Sequence, residues 1–112
     1  MTKIKKVFTD EQVEALLASA GGGALGARMK AIIATMWICG LRVGEVVALK
    51  ISDLNWRENK IRIRNGKGAK DDWTMMPNAL RPYIDGWLAH REKVELPKNS
   101  PLFCVLSKTP GK

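Results

Sequence analysis

The sequence predicts a mainly helical α+β fold, with helices packed around a small antiparallel β-hairpin or three-stranded sheet. Three observations point there. Apolar residues recur at helical spacing near both ends of the chain, a central segment alternates strictly with a period of two, and an Asn-Gly pair stands where that segment has to turn. At 112 residues the chain makes at most one compact domain, able to bury a core but with little stability in reserve. A composition of 46% hydrophobic and 27% charged residues is ordinary for a soluble globular chain, so only the sign of the charge stands out.

The first helix is announced at Thr9, which can cap it, with Gln12 completing a capping box and Phe8 with Val13 forming a hydrophobic staple. Val13, Leu16, Leu17 and Ala20 fall on one face, and Gly21 to Gly23 end the helix in a turn. A second helix is expected from about Ala27 to Cys39. Met29, Ile32, Ile33, Met36 and Trp37 leave it few polar positions and mark it as the central, mostly buried one. Gly40 suits a left-handed C-terminal stop. A short third helix, from about Val43 to Leu49, is expected to turn Val43, Val46 and Val47 inward.

The period then changes. Lys60 to Arg64 (KIRIR) puts Ile61 and Ile63 on one face and Lys60, Arg62 and Arg64 on the other. Asn65-Gly66 favours a hairpin turn, because both residues tolerate positive φ. A return strand through Trp73 to Met76 stops at Pro77, and a third short strand lies near Ile51 to Trp56. A fourth helix starts near Asn78, with the stripe Leu80, Tyr83, Ile84, Trp87 and Leu88. Leu102 to Leu106 reads as an edge strand, and SKTPGK after it as loop.

A net charge of +8 is the footprint of a polyanionic partner, either nucleic acid or an anionic membrane. The longest apolar stretch, Ala31 to Leu41, is too short to span a bilayer, and no apolar run follows the N-terminal lysines as a signal peptide requires. Cys39 and Cys104 lack metal-ligand spacing and share the chain with a single His. They read as reduced, buried thiols in a cytoplasmic protein, and structural zinc is excluded.

Three features can carry chemistry. Arg42 stands at the entrance of the third helix, where free amides favour a phosphate and a guanidinium can hold two of its oxygens. Glu45, one turn on, can orient that guanidinium. A solvated Arg–Glu pair explains the same local pattern, and on that pattern alone it is the better account. Lys67, between Gly66 and Gly68, projects from the expected hairpin tip and can donate a proton to a leaving oxygen if desolvation lowers its pKa. Plain exposed loops share this wording. Finally, Arg57, Lys60, Arg62, Arg64, Lys67 and Lys70 fall within fourteen residues against Glu58 alone. A solvated face normally mixes signs, so this ribbon reads as a surface for a DNA backbone or groove. Tyr83 and His90 are each single. Tyr83 lies in an apolar stripe and reads as core, while His90 suits a helix C-terminus.

Together these segments resemble the tyrosine recombinase (phage and integron integrase) family. CGLRVGEVVALKISDLNW matches its first conserved box, IRIRNGKGAKDDWTMMP its catalytic hairpin, and FTDEQVEALL the opening of its catalytic domain. The GKGAKDDWTMMP wording is nearest to integron-type members. The resemblance runs from about Phe8 to the C-terminus. It implies that Arg42 binds the scissile phosphate and Glu45 supports it. It implies, too, that Lys67 is the general acid for the leaving 5′-hydroxyl while a tyrosine forms a 3′-phosphotyrosyl bond, with no metal and no cofactor. Arg57, Lys60, Arg62, Arg64 and Lys70 would then lie along double-stranded DNA.

The departures carry equal weight. The family's His-x-x-Arg box and its nucleophilic tyrosine have no counterpart in these residues, and Tyr83 stands in the wrong segment. At Asp72, where integron-type sequences commonly carry Arg, this chain is acidic, so the resemblance does not carry over one phosphate contact there. The expectation is therefore residues 1–112 as a single partial domain, the N-terminal part of such a catalytic domain, inactive alone. Uncovered apolar surface would favour self-association. The alternative is a non-catalytic DNA-binding or self-associating remnant that modulates a full-length recombinase.

Overall fold

Thr9 opens the first helix by the expected reciprocal bonds. In the computed structural model, which describes residues 9–64, 72–94, 96 and 99–104, Thr9 Oγ1 accepts the Gln12 amide at 3.1 Å and Gln12 Oε1 accepts the Thr9 amide at 2.9 Å. The helix α1 spans Asp10–Ser19, and Val13 is its buried residue. Leu17 and Ala20 are half-buried and Leu16 is exposed, so the expected apolar face is narrower than its spacing suggested. Phe8, the staple partner, lies outside the described residues.

Helix α2 spans Gly23–Cys39, starting four residues ahead of the expected Ala27. The glycine triplet explains the difference. Gly21 and Gly23 hold φ of 85° and 71° with Gly22 as the N-cap, so the chain reverses within three residues and helical geometry resumes at once. A Cβ on Gly26 would lie 2.1 Å from the Gly21 carbonyl oxygen. The turn therefore folds directly onto the helix. At the other end Gly40, with φ 71°, stops α2 as expected.

After α2 come α3 (Val43–Val47), a 3₁₀ turn (Ile51–Asp53), β1 (Leu54–Asn55), β2 (Lys60–Ile63), β3 (Asp72–Met75), a second 3₁₀ turn (Asn78–Leu80) and α4 (Arg81–Arg91). The strands form one antiparallel sheet in the order β1-β2-β3. Leu54 pairs with Ile61, and Lys60, Ile61, Arg62 and Ile63 pair with Met75, Thr74, Trp73 and Asp72. Strict alternation does the work here: Ile61 and Ile63 are buried while Lys60 and Arg62 are not. The Asn65-Gly66 turn lies outside the described residues.

Helices α2 and α4 pack against each other. Leu80, Ile84 and Trp87 are buried on the predicted stripe, with Tyr83 and Leu88 packed at its margin. On α2 the fully buried positions are Gly26, Ala31, Ala34 and Thr35. Met29 is exposed and Ile32, Ile33, Met36 and Trp37 are half-buried, with Ile32 and Met36 packed against the core, so the helix expected to be mostly buried is buried along a narrower face. Small residues let two helix axes approach closely, and bulky ones are pushed to the flanks. In α3 only Val46 turns inward; Val43 and Val47, one helical turn apart, stand 58% and 56% exposed.

Residues 99–104 close the core as a strap; of the edge strand expected over Leu102 to Leu106, Leu102 to Cys104 are not in a strand and residues 105–106 lie outside the described residues. Pro101 makes an isolated antiparallel bridge with Lys50, and the Leu102 amide donates to the Leu49 carbonyl at 2.7 Å. Leu102 and Phe103 are buried. The Trp87 indole N–H donates to the Leu102 carbonyl at 2.7 Å, and Arg91 and Arg28 donate to carbonyls of Leu102 and Cys104 at 3.1 Å each. No described helix is long and apolar enough to cross a membrane.

Candidate nucleic-acid interface and phosphate site

Arg42 is exposed and occupies the N-cap of α3, with extended φ and ψ. Glu45 Oε1 accepts the Arg42 backbone N–H at 2.9 Å. Arginine has no acceptor with which to return that bond, so the acid fixes the backbone from which the guanidinium projects. The sequence reads Glu45 as able to orient the guanidinium, and its bond to the Arg42 amide adds a hold on the main chain. Both lead to a restrained Arg42 at the surface.

On the sheet, the register brings Lys60 and Arg62 to the outward face opposite Met75 and Trp73. That face is less purely basic than the sequence implied. Trp73 is 50% and Met75 63% exposed. The Lys60 ammonium lies 5.5 Å from the Trp73 ring centroid and 3.1 Å from a Glu58 carboxylate oxygen. Arg57 is exposed in the turn between β1 and β2. Arg64 departs from the expected arrangement: its guanidinium turns to the fully buried Asp53, with its terminal nitrogen 2.9 Å from Oδ1. Lys67 and Lys70 lie outside the described residues.

Two supports of this surface escaped the sequence reading. Asp53 is one, a lone acid in a short turn with no periodic signal to mark it. The other is Arg81, at the start of α4, which stacks 4.8 Å from the Trp56 ring centroid. It donates to the Trp56 carbonyl at 3.0 Å and to Asn59 Oδ1. Arg81 so fastens the turn that carries Arg57 to α4. The Cys39 thiol faces the Met75 carbonyl at 3.7 Å, and burial raises its pKa to about 11. A thiol held protonated is inert near neutral pH. Among the described residues, no three of His, Cys, Asp and Glu stand together as metal ligands would.

The arrangement is an exposed, backbone-fixed arginine on one element and a basic, aromatic-flanked sheet face on another. Comparison with known proteins gives it a family. The profile of the phage integrase family matches residues 6–111. Tyrosine recombinase XerD of Ralstonia nicotianae is 43% identical over 70 residues, 62% of this chain and 23% of that protein. XerD of Xanthomonas axonopodis pv. citri is 31% identical over 108 residues, 96% of this chain and 35% of that protein. Among solved structures, XerA recombinase superposes with a TM-score of 0.73 at 28% identity, over 96% of this chain and 36% of its own. XerH site-specific recombinase, bound to palindromic difH substrate, superposes with a TM-score of 0.66 at 26% identity, over 88% of this chain and 29% of its own. The chain thus spans about a quarter to a third of the length of these relatives. With the family profile matching residues 6–111 and its fold shared with the XerA recombinase, the chain belongs to the phage integrase family of tyrosine recombinases.

Proposed function

We propose that this chain supplies the phosphate-binding part of a DNA strand-transfer site and holds duplex DNA along its basic sheet face. The observation that carries the reading is Arg42, exposed at a helix entrance with its backbone fixed by Glu45, in a chain matched nearly end to end by the family profile. The similar XerH structures hold difH substrate, which supports DNA as the partner here. In the chemistry implied, a tyrosine oxygen attacks the scissile phosphorus and the bond to the 5′-oxygen breaks. Arg42 stabilises the charge that builds on the non-bridging oxygens, and Lys67 delivers the proton to the departing 5′-oxygen. The only tyrosine in these 112 residues is Tyr83, which packs against the core. Cleavage by these residues alone is therefore not expected.

Binding to a labelled duplex across a salt series tests the reading. Affinity should fall steeply with salt through counterion release, and Arg42→Gln should flatten the logarithmic slope by about 0.9, one phosphate contact. A salt-independent signal, or none at low salt, removes DNA as the partner. A nicked substrate should yield no covalent adduct; an adduct would overturn the expected inactivity.

Exposed apolar side chains favour a second reading, association with another copy. Leu25 is 69% exposed, alongside Val43 and Val47. Surface of this kind, when contiguous, marks interfaces.

A further inference from the structure

Asp53 is 0% exposed and sits in the turn between the end of the α3 segment and β1. A carboxylate so deep is tolerated only when its oxygens are paired, and here they are. Arg64 Nε lies 3.1 Å from both Oδ1 and Oδ2, and a terminal nitrogen lies 2.9 Å from Oδ1. Oδ2 also accepts the Lys50 backbone N–H at 2.9 Å. Lys50 in turn bridges to Pro101 of the strap. One side chain thereby joins the segment that follows the Arg42 helix, the end of β2 and, through Lys50, the C-terminal strap. Sequence alternation groups Arg64 with Lys60 and Arg62 on the ribbon, yet its guanidinium fork is spent on this acid.

We propose that Arg64 is a positioning residue: paired with Asp53, it sets the basic ribbon against the segment led by Arg42, and it takes no DNA phosphate itself. The inference rests on the DNA-binding reading above. Its chemical signature follows from the fork. Lysine retains the charge a phosphate needs, but it cannot span two carboxylate oxygens as arginine does.

The test uses the whole chain and a labelled duplex, with affinity measured across a salt series and each variant's melting followed by circular dichroism. All binding is compared at a temperature where every variant is folded. Arg64→Lys and Arg64→Gln should weaken binding alike, by about three- to tenfold, the net scale of one typical hydrogen bond. Neither should change the salt slope, whereas Arg42→Gln flattens it. Asp53→Asn should match them, and the Asp53→Asn/Arg64→Gln double variant should bind no worse than either single one, because the pair acts as a unit. The proposal is overturned if Arg64→Lys binds like the unaltered chain while Arg64→Gln loses about 0.9 of slope, the mark of a direct phosphate ligand. Unchanged affinity in both Arg64 variants overturns it as well. Should Asp53→Asn fail to fold, the Lys-against-Gln comparison at Arg64, whose side chain is 37% exposed, decides alone. If the unaltered chain shows no salt-dependent binding, the DNA reading falls and this one with it, a result seen before any variant is made.

Discussion

A methyl group at Gly26 would stand 2.1 Å from the Gly21 carbonyl oxygen and 2.5 Å from its carbonyl carbon, both backbone atoms that no rotamer change can move. Gly26→Ala must push the glycine turn off α2, and overpacking of this kind costs about 1–3 kcal/mol. Gly86 offers the control. It lies inside α4 with nothing within 4 Å of a built Cβ, so Gly86→Ala should stabilise by about 0.5–1 kcal/mol through helix propensity. Thermal melting should move in opposite directions for the two variants; equal shifts would show that the close approach at Gly26 does not matter. Cys39 gives a second prediction at this scale. Its pKa is raised from 9.0 to about 11 by burial, so the folded state favours the protonated thiol. That contribution is complete below pH 9 and is lost as pH rises through 11, giving a chain whose melting temperature falls over that window. Near pH 8, alkylation of Cys39 in the folded chain should be far slower than in denaturant. Rapid modification in both states would contradict the burial.

Arg81 acts between elements. Its guanidinium covers Trp56 and donates to the carbonyl of Trp56 and the side chain of Asn59, joining the β1–β2 turn to the head of α4. Asn59 sits at φ 57° and its carbonyl accepts the Met76 amide at 2.7 Å, so the same turn also anchors the exit from β3. Arg81→Ala removes the stack and the donors together and should cost about 1–3 kcal/mol. Hydrogen exchange should rise first at the amides of β1 and β2 while α2 stays protected; a uniform rise across the chain would deny the local role. Periodic elements were readable in advance: α4 through Leu80, Ile84 and Trp87, the ribbon through Ile61 and Ile63, α1 through its Thr9 capping box. What escaped has no period. Asp53 and Arg81 act through contacts between segments far apart in sequence. The burial of α2 follows which neighbour approaches it, so Ala31 and Ala34 went fully inward while Met36 packs at the core's margin and Met29 stays exposed. Arg42 and Glu45 were legible as a spaced pair, but that Glu45 holds a backbone amide was not.

At the scale of the whole molecule, two tendencies oppose each other. A net charge of +8 keeps copies apart, while Leu25, Val43, Val47 and Met75, each more than half exposed, draw apolar surfaces together. Salt acts on these tendencies differently. The Debye length falls from about 30 Å at 0.01 M to about 10 Å at 0.1 M and 3 Å at 1 M, so repulsion between copies fades as ionic strength rises. Apolar burial carries no such screening and is strengthened by excluded salts such as sulfate. Binding to DNA runs the other way, because each phosphate contact releases a counterion and is weakened by added salt. The chain should therefore sediment as a monomer in dilute buffer and shift toward dimers as sodium sulfate is added, over the same range in which its DNA complex dissociates. Val43→Ser and Val47→Ser, on the exposed side of α3, should suppress the shift without changing the melting temperature by more than about 0.5 kcal/mol in equivalent stability. A mass that falls with salt would mean that charged groups hold the copies together, and a constant monomer would mean that the apolar side chains are too dispersed to form an interface.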